Sequence, residues 1–203
     1  MKTRLIAAVA ASALILADAG PVAAAALKTA VFDGGCFWSA QHDIEHTPGV
    51  KDVVVGYAGG TKPSPNYDDH EGYLESIKVT YDPAQISYAK LVDTFFHHID
   101  PTDGNGQICD QGPTYRTAVF VADPAEKAAA EQVKEQVHAQ LRLPIKTMIL
   151  PAGRFWAEPD AHHQHYAEKY PAAYMTYRIG CGRDRTLKAV WSMSVASNRA
   201  AGR

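Results

Sequence analysis

The sequence predicts an α+β domain in which helices pack on a mixed β-sheet. Two observations carry the prediction. Runs that alternate in hydrophobicity are interleaved with stretches of helical spacing, in the order strand, helix, two strands, helix, strand, helix, strand, helices. From about Leu27 onward the chain also shows no repeat and no second-domain boundary, at a length that suits one core. Residues 1–26 are set apart. Lys2 and Arg4 precede an apolar run over 5–17, then Gly20-Pro21 and an alanine-rich tract. This is the pattern of a secretory signal, too short for a membrane span. The expected organisation is a signal peptide over 1–26 and a single domain over 27–203, frayed from residue 192. Such a chain is exported, to a periplasm, with no membrane span in its mature part.

The elements follow in order. Ala30-Val31-Phe32 is apolar and leads through Asp33, Gly34 and Gly35 to Cys36, Phe37 and Trp38. This reads as a strand, a glycine turn, and a helix with Cys36 in its first turn. Thr47-Pro48-Gly49 is a turn, and the β-branched run from Val50 to Tyr57 is a strand. Residues 58–69, rich in Gly, Pro, Asn and Asp, form a loop. Leu74 to Tyr81 alternates as a strand does, with Glu75 on the face of Ile77 and Val79. Ser87 caps a helix to about His98, with Leu91, Val92, Phe95 and Phe96 on its inner face. Residues 100–114 form a long loop that holds Cys109 and Asp110 and leads to Tyr115; such loops tend to be functional. Thr117 to Val121 is a strand. Asp123 opens a helix over 124–140, expected on the solvated surface. Thr147 to Leu150 is a short strand, 155–170 starts as loop and becomes helix, and 184–191 is a last short helix.

Composition narrows the function. The formal net charge is −2, with no run of like charge. Nothing points to nucleic-acid binding or to a basic membrane surface. Three cysteines in an exported chain are too few for a disulfide scaffold, and one at least is free, transiently paired or intermolecular. Redox chemistry fits that count. The nine histidines include adjacent pairs whose side chains diverge on a helix, and neither HExxH nor CxxC occurs. No metal site is expected.

A thiol mechanism needs a thiolate, a proton donor and groups that fix the reacting oxygen. Cys36 is the candidate thiol, because a helix N-terminus presents free N–H groups that lower a thiol pKa. Glu75 is the candidate acid: on an apolar strand face it is desolvated, and its pKa rises. Tyr67 and Tyr115 offer hydroxyl donors, Asp110 lies nearby in sequence, and Phe37 and Trp38 can wall a small apolar pocket.

These residues resemble the A-type peptide methionine sulfoxide reductases. The resemblance runs through Gly35-Cys36-Phe37-Trp38, Pro48-Gly49-Val50, Gly56-Tyr57-Ala58-Gly59-Gly60, Tyr67 and Gly72-Tyr73-Leu74-Glu75. It continues in family order through Val79 to Pro83, Asp100-Pro101-Thr102, Asp110-Gln111-Gly112, Tyr115-Arg116-Thr117-Ala118 and His163-Gln164-His165-Tyr166. It covers roughly residues 28–191. It implies a two-layer sandwich with a ferredoxin-like core and reduction of methionine-S-sulfoxide, free or in proteins. Cys36 is then the nucleophile, Glu75 the proton donor, Tyr67 and Tyr115 the oxygen-binding phenols with Asp110 beside them, and Phe37 and Trp38 the methyl pocket. The implied product on the enzyme is a Cys36 sulfenic acid, resolved by a second cysteine and opened by a thioredoxin-like reductant or dithiol. No metal or organic cofactor is implied, and the chain is expected as a monomer.

The sequence departs from the family in places. Ser39 stands where Gly or Cys is usual, Gln41 where Glu is common, and the stretch from Tyr67 to Glu75 is short, which leaves Tyr57 and Tyr73 as alternatives to Tyr67. Cys181, flanked by Gly180 and Gly182, is the first candidate for the resolving thiol and Cys109 the second, singly or as a relay. A Cys109–Cys181 disulfide that leaves Cys36 alone is the structural alternative. The rival functions are a peroxidase-like exported thiol oxidoreductase and a non-catalytic module that binds oxidised methionine.

Overall fold

The computed structural model describes residues 26–201, with side chains to residue 192; nearly all of the expected signal segment lies outside the described residues. The β-branched runs form the sheet. Its strands are β1 (Lys28–Asp33), β2 (Val50–Ala58), β3 (Leu74–Tyr81), β6 (Ala118–Val121), β7 (Met148–Pro151) and β8 (Trp156–Ala157), in the order β7-β6-β1-β3-β2-β8. Pairing is antiparallel throughout except between β6 and β7, so the sheet is mixed. The two-residue strands β4 (Gly106–Gln107) and β5 (Asp110–Gln111) pair apart from it.

Period-two alternation sorts the strand side chains between two faces. Phe32, Val53, Val55, Ile77, Val79 and Val119 belong to the main core. Helices α1 (Phe37–Ile44), α2 (Tyr88–His97) and α3 (Pro124–Leu141) bury Phe37 and Ile44, Leu91 and Phe95, and Val133 and Val137 in that core. Phe32 stacks on Phe95 with ring centroids 4.8 Å apart. Ala58, Ala118 and Phe120 form a smaller cluster on the other face. This is the expected α+β architecture of helices packed on a mixed sheet.

Local signals explain the helix ends. Ser87 accepts from Lys90 N and Asp123 from Glu126 N, each capping a first turn. Arg142, in the left-handed conformation, stops α3. The α3 helix is not wholly solvated: Ala130, Val133, Val137 and Leu141 bury one stripe. The loop expected over 100–114 contains the β4–β5 hairpin, and a 3-10 turn, Pro113–Tyr115, follows it. After α4 (Tyr166–Lys169) come α5 (Pro171–Cys181) and α6 (Arg183–Ala201), so the last helix runs beyond 184–191 into the segment expected to fray. No helix among the described residues is long and apolar enough to cross a membrane.

The C-terminal helices are fastened to α1 by buried charge. Asp43 accepts from Arg178 Nη1 at 2.8 Å and from Arg183 Nε at 3.0 Å. Arg183, 1% exposed, also donates to the His98 carbonyl. Breaking one partner of such a buried set leaves an uncompensated charge, at a cost of about 3–5 kcal/mol.

Candidate active site

The turn after β1 sets the thiol. Asp33 Oδ1 accepts the Gly35 N–H at 3.0 Å. Gly35 adopts φ +83°, and a Cβ there would stand 2.4 Å from Gln107 Cβ. Cys36 is then the N-cap of α1 rather than a first-turn residue, and its carbonyl accepts from Ser39 N and Ala40 N. The first free N–H of the helix, that of Phe37, donates to Glu75 Oε2 at 2.9 Å. A carboxyl from the neighbouring strand thus caps the helix that carries the thiol.

Glu75 is 2% exposed. Burial pushes its pKa up to about 8 against the lowering pull of the Phe37 N–H, with Asp110 and Glu158 adding to the rise. It holds a proton at neutral pH. Asp33 is also fully buried; desolvation pushes its pKa well above the usual carboxylate range, and its Oδ2 has no hydrogen-bond partner among the described residues.

The thiol itself behaves differently from the sequence expectation. Burial, then the Glu75 and Asp110 carboxyls, pushes Cys36 up to about 12; the Tyr177 hydroxyl and the Trp38 N–H only partly offset this. The helix-end effect is present, but desolvation outweighs it. Cys36 rests as a thiol.

Tyr67 and Tyr115 converge on this pair. Burial raises both phenols, and the charges of Glu75 and Cys36 act on both. Tyr67 packs against Phe37 and stacks on Trp38, with ring centroids 6.3 and 5.9 Å away. The alternatives are engaged elsewhere: Tyr57 donates to Glu158 Oε2 and Tyr73 to the Lys62 carbonyl. Tyr166 stacks on Trp38 at 4.0 Å, and His163 stacks on Tyr67 at 4.0 Å. Phe37, Trp38, Tyr67, His163 and Tyr166 form one aromatic wall.

Asp110 reaches the thiol through a residue that sequence reasoning passed over. Tyr177, on α5, donates its hydrogen to Asp110 Oδ2 at 2.5 Å and lies close enough to Cys36 to act on the thiol. The available signal was spacing: Tyr177 lies four residues before Cys181, on the same face of a helix.

Cys109 and Cys181 are joined in a disulfide, and Cys36 is free and buried. This is the pairing held as the structural alternative. The setting of Cys181 is anchored rather than mobile: Gly180 lies within α5, and Arg178 and Arg183 on either side both bind Asp43. Two links join α5 to the β4–β5 hairpin, Cys181 to Cys109 and Tyr177 to Asp110.

Two departures from the expected pattern have structural work. Gln41 Nε2 donates to the Val53 carbonyl and its Oε1 accepts the His165 N–H, tying α1 to β2 and to the segment before α4. Ser39 is buried with its Oγ 3.5 Å from the Tyr174 hydroxyl. The Gln164 side chain bonds both the N–H and the carbonyl of Val55, completing the edge of β2 beside β8.

A buried thiol, a protonated carboxyl capping its helix, and phenols converging on both define a cysteine-based redox site on an α+β scaffold. The family model described as peptide methionine sulfoxide reductase matches residues 28–195. The chain belongs to that family. It is 42% identical over 196 residues to peptide methionine sulfoxide reductase MsrA 2 of Caulobacter vibrioides, covering 94% of this chain and 99% of that one. Among solved structures it is similar to methionine sulfoxide reductase A of Corynebacterium diphtheriae: TM-score 0.67, 32% identity, 71% of this chain and 76% of that one. It is also similar to Mxr1 of Saccharomyces cerevisiae in complex with Trx2: TM-score 0.51, 27% identity, 70% of this chain and 85% of that one.

Proposed function

We propose that the chain reduces methionine-S-sulfoxide, free or in proteins, by thiol chemistry at Cys36. The observation that carries the reading is Glu75: a buried carboxyl, protonated at neutral pH, bonded to the first N–H of the helix that begins at the thiol. An acid kept neutral beside a nucleophile suits a substrate whose oxygen must be protonated as sulfur is attacked. Phe37 and Trp38 hold the methyl group, and Tyr67 and Tyr115 bind the oxygen.

The thiol proton leaves through Tyr177 toward Asp110, and Cys36 sulfur attacks the sulfoxide sulfur while Glu75 protonates the oxygen. The oxygen passes to Cys36, so that the substrate S–O bond is exchanged for a Cys36 S–O bond. Methionine departs as the thioether and Cys36 is left as a sulfenic acid. A second thiol then attacks the Cys36 sulfur, expelling water and forming a disulfide. Cys181 takes this step, with Cys109 completing a relay whose end is the Cys109–Cys181 bond. With that bond closed the chain has no thiol left for resolution, so a dithiol must open it by exchange. The complex of the yeast relative with Trx2 supports a thioredoxin-like reductant. The leader-like pattern of residues 1–26 supports export to a periplasm.

The test is dithiothreitol-driven reduction of the separate S and R epimers of a methyl sulfoxide. Turnover of the S epimer alone is expected, and Cys36→Ser is expected to lose it to background. Full activity in Cys36→Ser, or faster turnover of hydrogen peroxide than of either sulfoxide, would overturn the reading.

A further inference from the structure

The far end of α1 presents a second cluster that the thiol chemistry does not use. His42 and His46 stand four residues apart, with Glu45 between them where the helix gives way to a turn. His165 and Glu168 reach the same place from the start of α4. Glu45 is the centre. Its Oε2 lies 3.0 Å from His165 Nδ1, and its Oε1 lies 3.9 Å from both His42 Nδ1 and His46 Nδ1. Ligand atoms of Glu45, His46 and Glu168 lie within 4.8 Å of one another. A cavity of about 200 Å³ opens beside Glu45, His46, His165 and Glu168.

The carboxylate is incompletely answered by the protein. The Glu45 side chain is 9% exposed, yet its Oε1 makes no hydrogen bond among the described residues. His42 Nδ1 is likewise buried and unpaired. Leaving such atoms without partners costs free energy unless another group meets them. A spacing of 3.9 Å is too long for a hydrogen bond but suits two ligands that share one ion, each about 2.0–2.2 Å from it. The C-terminal carbonyls of α1 add partial negative charge at the same end. Lys51 also lines the cavity, but Asp52 lies beside it, and the Lys51 ammonium also acts on Asp82.

We propose that Glu45 Oε1, His46 and Glu168 bind a divalent transition-metal ion of the zinc type, with His42 nearest for the fourth position. His165, bonded to Oε2, orients the carboxylate. Imidazole together with carboxylate suits zinc and its neighbours, whereas magnesium and calcium take oxygen shells. The ion clasps the end of α1 to the start of α4. It stands about 13 Å along the helix from Cys36, by the rise of the nine residues to Glu45. It fastens the segment whose His163 and Tyr166 face Trp38 at 5.7 and 4.0 Å. Its role is to hold the aromatic wall, not to react.

The experiment uses the tag-free Cys36→Ser chain, kept oxidised so that Cys109 and Cys181 remain paired. Both choices remove thiols that would compete for zinc. Titration with Zn²⁺ against a chromophoric chelator is expected to show about one equivalent bound, with a raised Tm. His46→Ala and Glu168→Gln, at exposed positions that should fold normally, are each expected to weaken binding about tenfold or more, and Glu45→Gln at least as much. His138→Ala, on α3, is expected to change nothing. Absence of saturable binding overturns the proposal, and so does unchanged affinity in both His46→Ala and Glu168→Gln.

Discussion

Glu75 holds two positions at once. It caps α1 through the Phe37 N–H, and it is the protonated group nearest the chemistry. The two tasks make opposite demands, since a capping bond stabilises the carboxylate and general-acid work needs the neutral form. Burial decides between them and sets the pKa near 8. The acid form is present below that value and is lost as pH rises through it, so sulfoxide reduction should fall with a limb near pH 8. Glu75→Gln is expected to lower single-turnover reduction by about 10²–10⁴ and to abolish that limb. The same substitution has a stability signature of known sign. Folded Glu75 binds its proton more tightly than the unfolded side chain does. The wild-type fold therefore loses stability progressively from the unfolded carboxylate pKa, about 4.3, up to about 8. Gln cannot ionise, so the variant should gain in Tm relative to the wild type above pH 8. A variant equally active at every pH would remove Glu75 from the chemistry.

At the scale of elements, α5 links the two sulfur sites. One face carries Tyr177, bonded to Asp110 and near Cys36, and Cys181, bonded to Cys109. Tyr177→Phe is expected to slow single-turnover methionine release about tenfold or more at neutral pH, below the Glu75 limb. An unchanged neutral rate would mean that the proton leaves another way. The sequence made part of this legible. Alternation in 74–81 predicted both the strand and the inward face of Glu75, because that signal is local. Gly34-Gly35 predicted the turn before Cys36 for the same reason. Tyr177 was not legible, because its meaning depends on a contact with Asp110 across 67 residues. The raised thiol pKa was also hidden: a helix end is readable in sequence, but the burial that overrides it comes from tertiary packing. Arg178 and Arg183 read as surface cations until Asp43 is brought beneath them.

At the scale of the whole molecule, the disulfide state fixes how many substrates the chain can process alone. A fully reduced chain, freed of dithiol, should release about two equivalents of methionine from the S epimer. The first oxidising equivalent ends in Cys109–Cys181 and the second in a Cys36 sulfenic acid. The oxidised chain should release about one. Quantifying free methionine by chromatography separates the cases. Equal yields from both forms would place the Cys109–Cys181 bond outside the cycle and leave it as a fixed staple.

That bond also spans 72 residues and encloses β5, β6, α3, β7, β8, α4 and α5 in one covalent loop. In the chain-entropy treatment a loop of this length restrains the unfolded state by about 4 kcal/mol. Recharging the thiols therefore removes a tether comparable in size to a good part of a domain's net stability. The chain is most robust when spent and most easily unfolded when armed, so an excess of reductant without substrate shortens its lifetime.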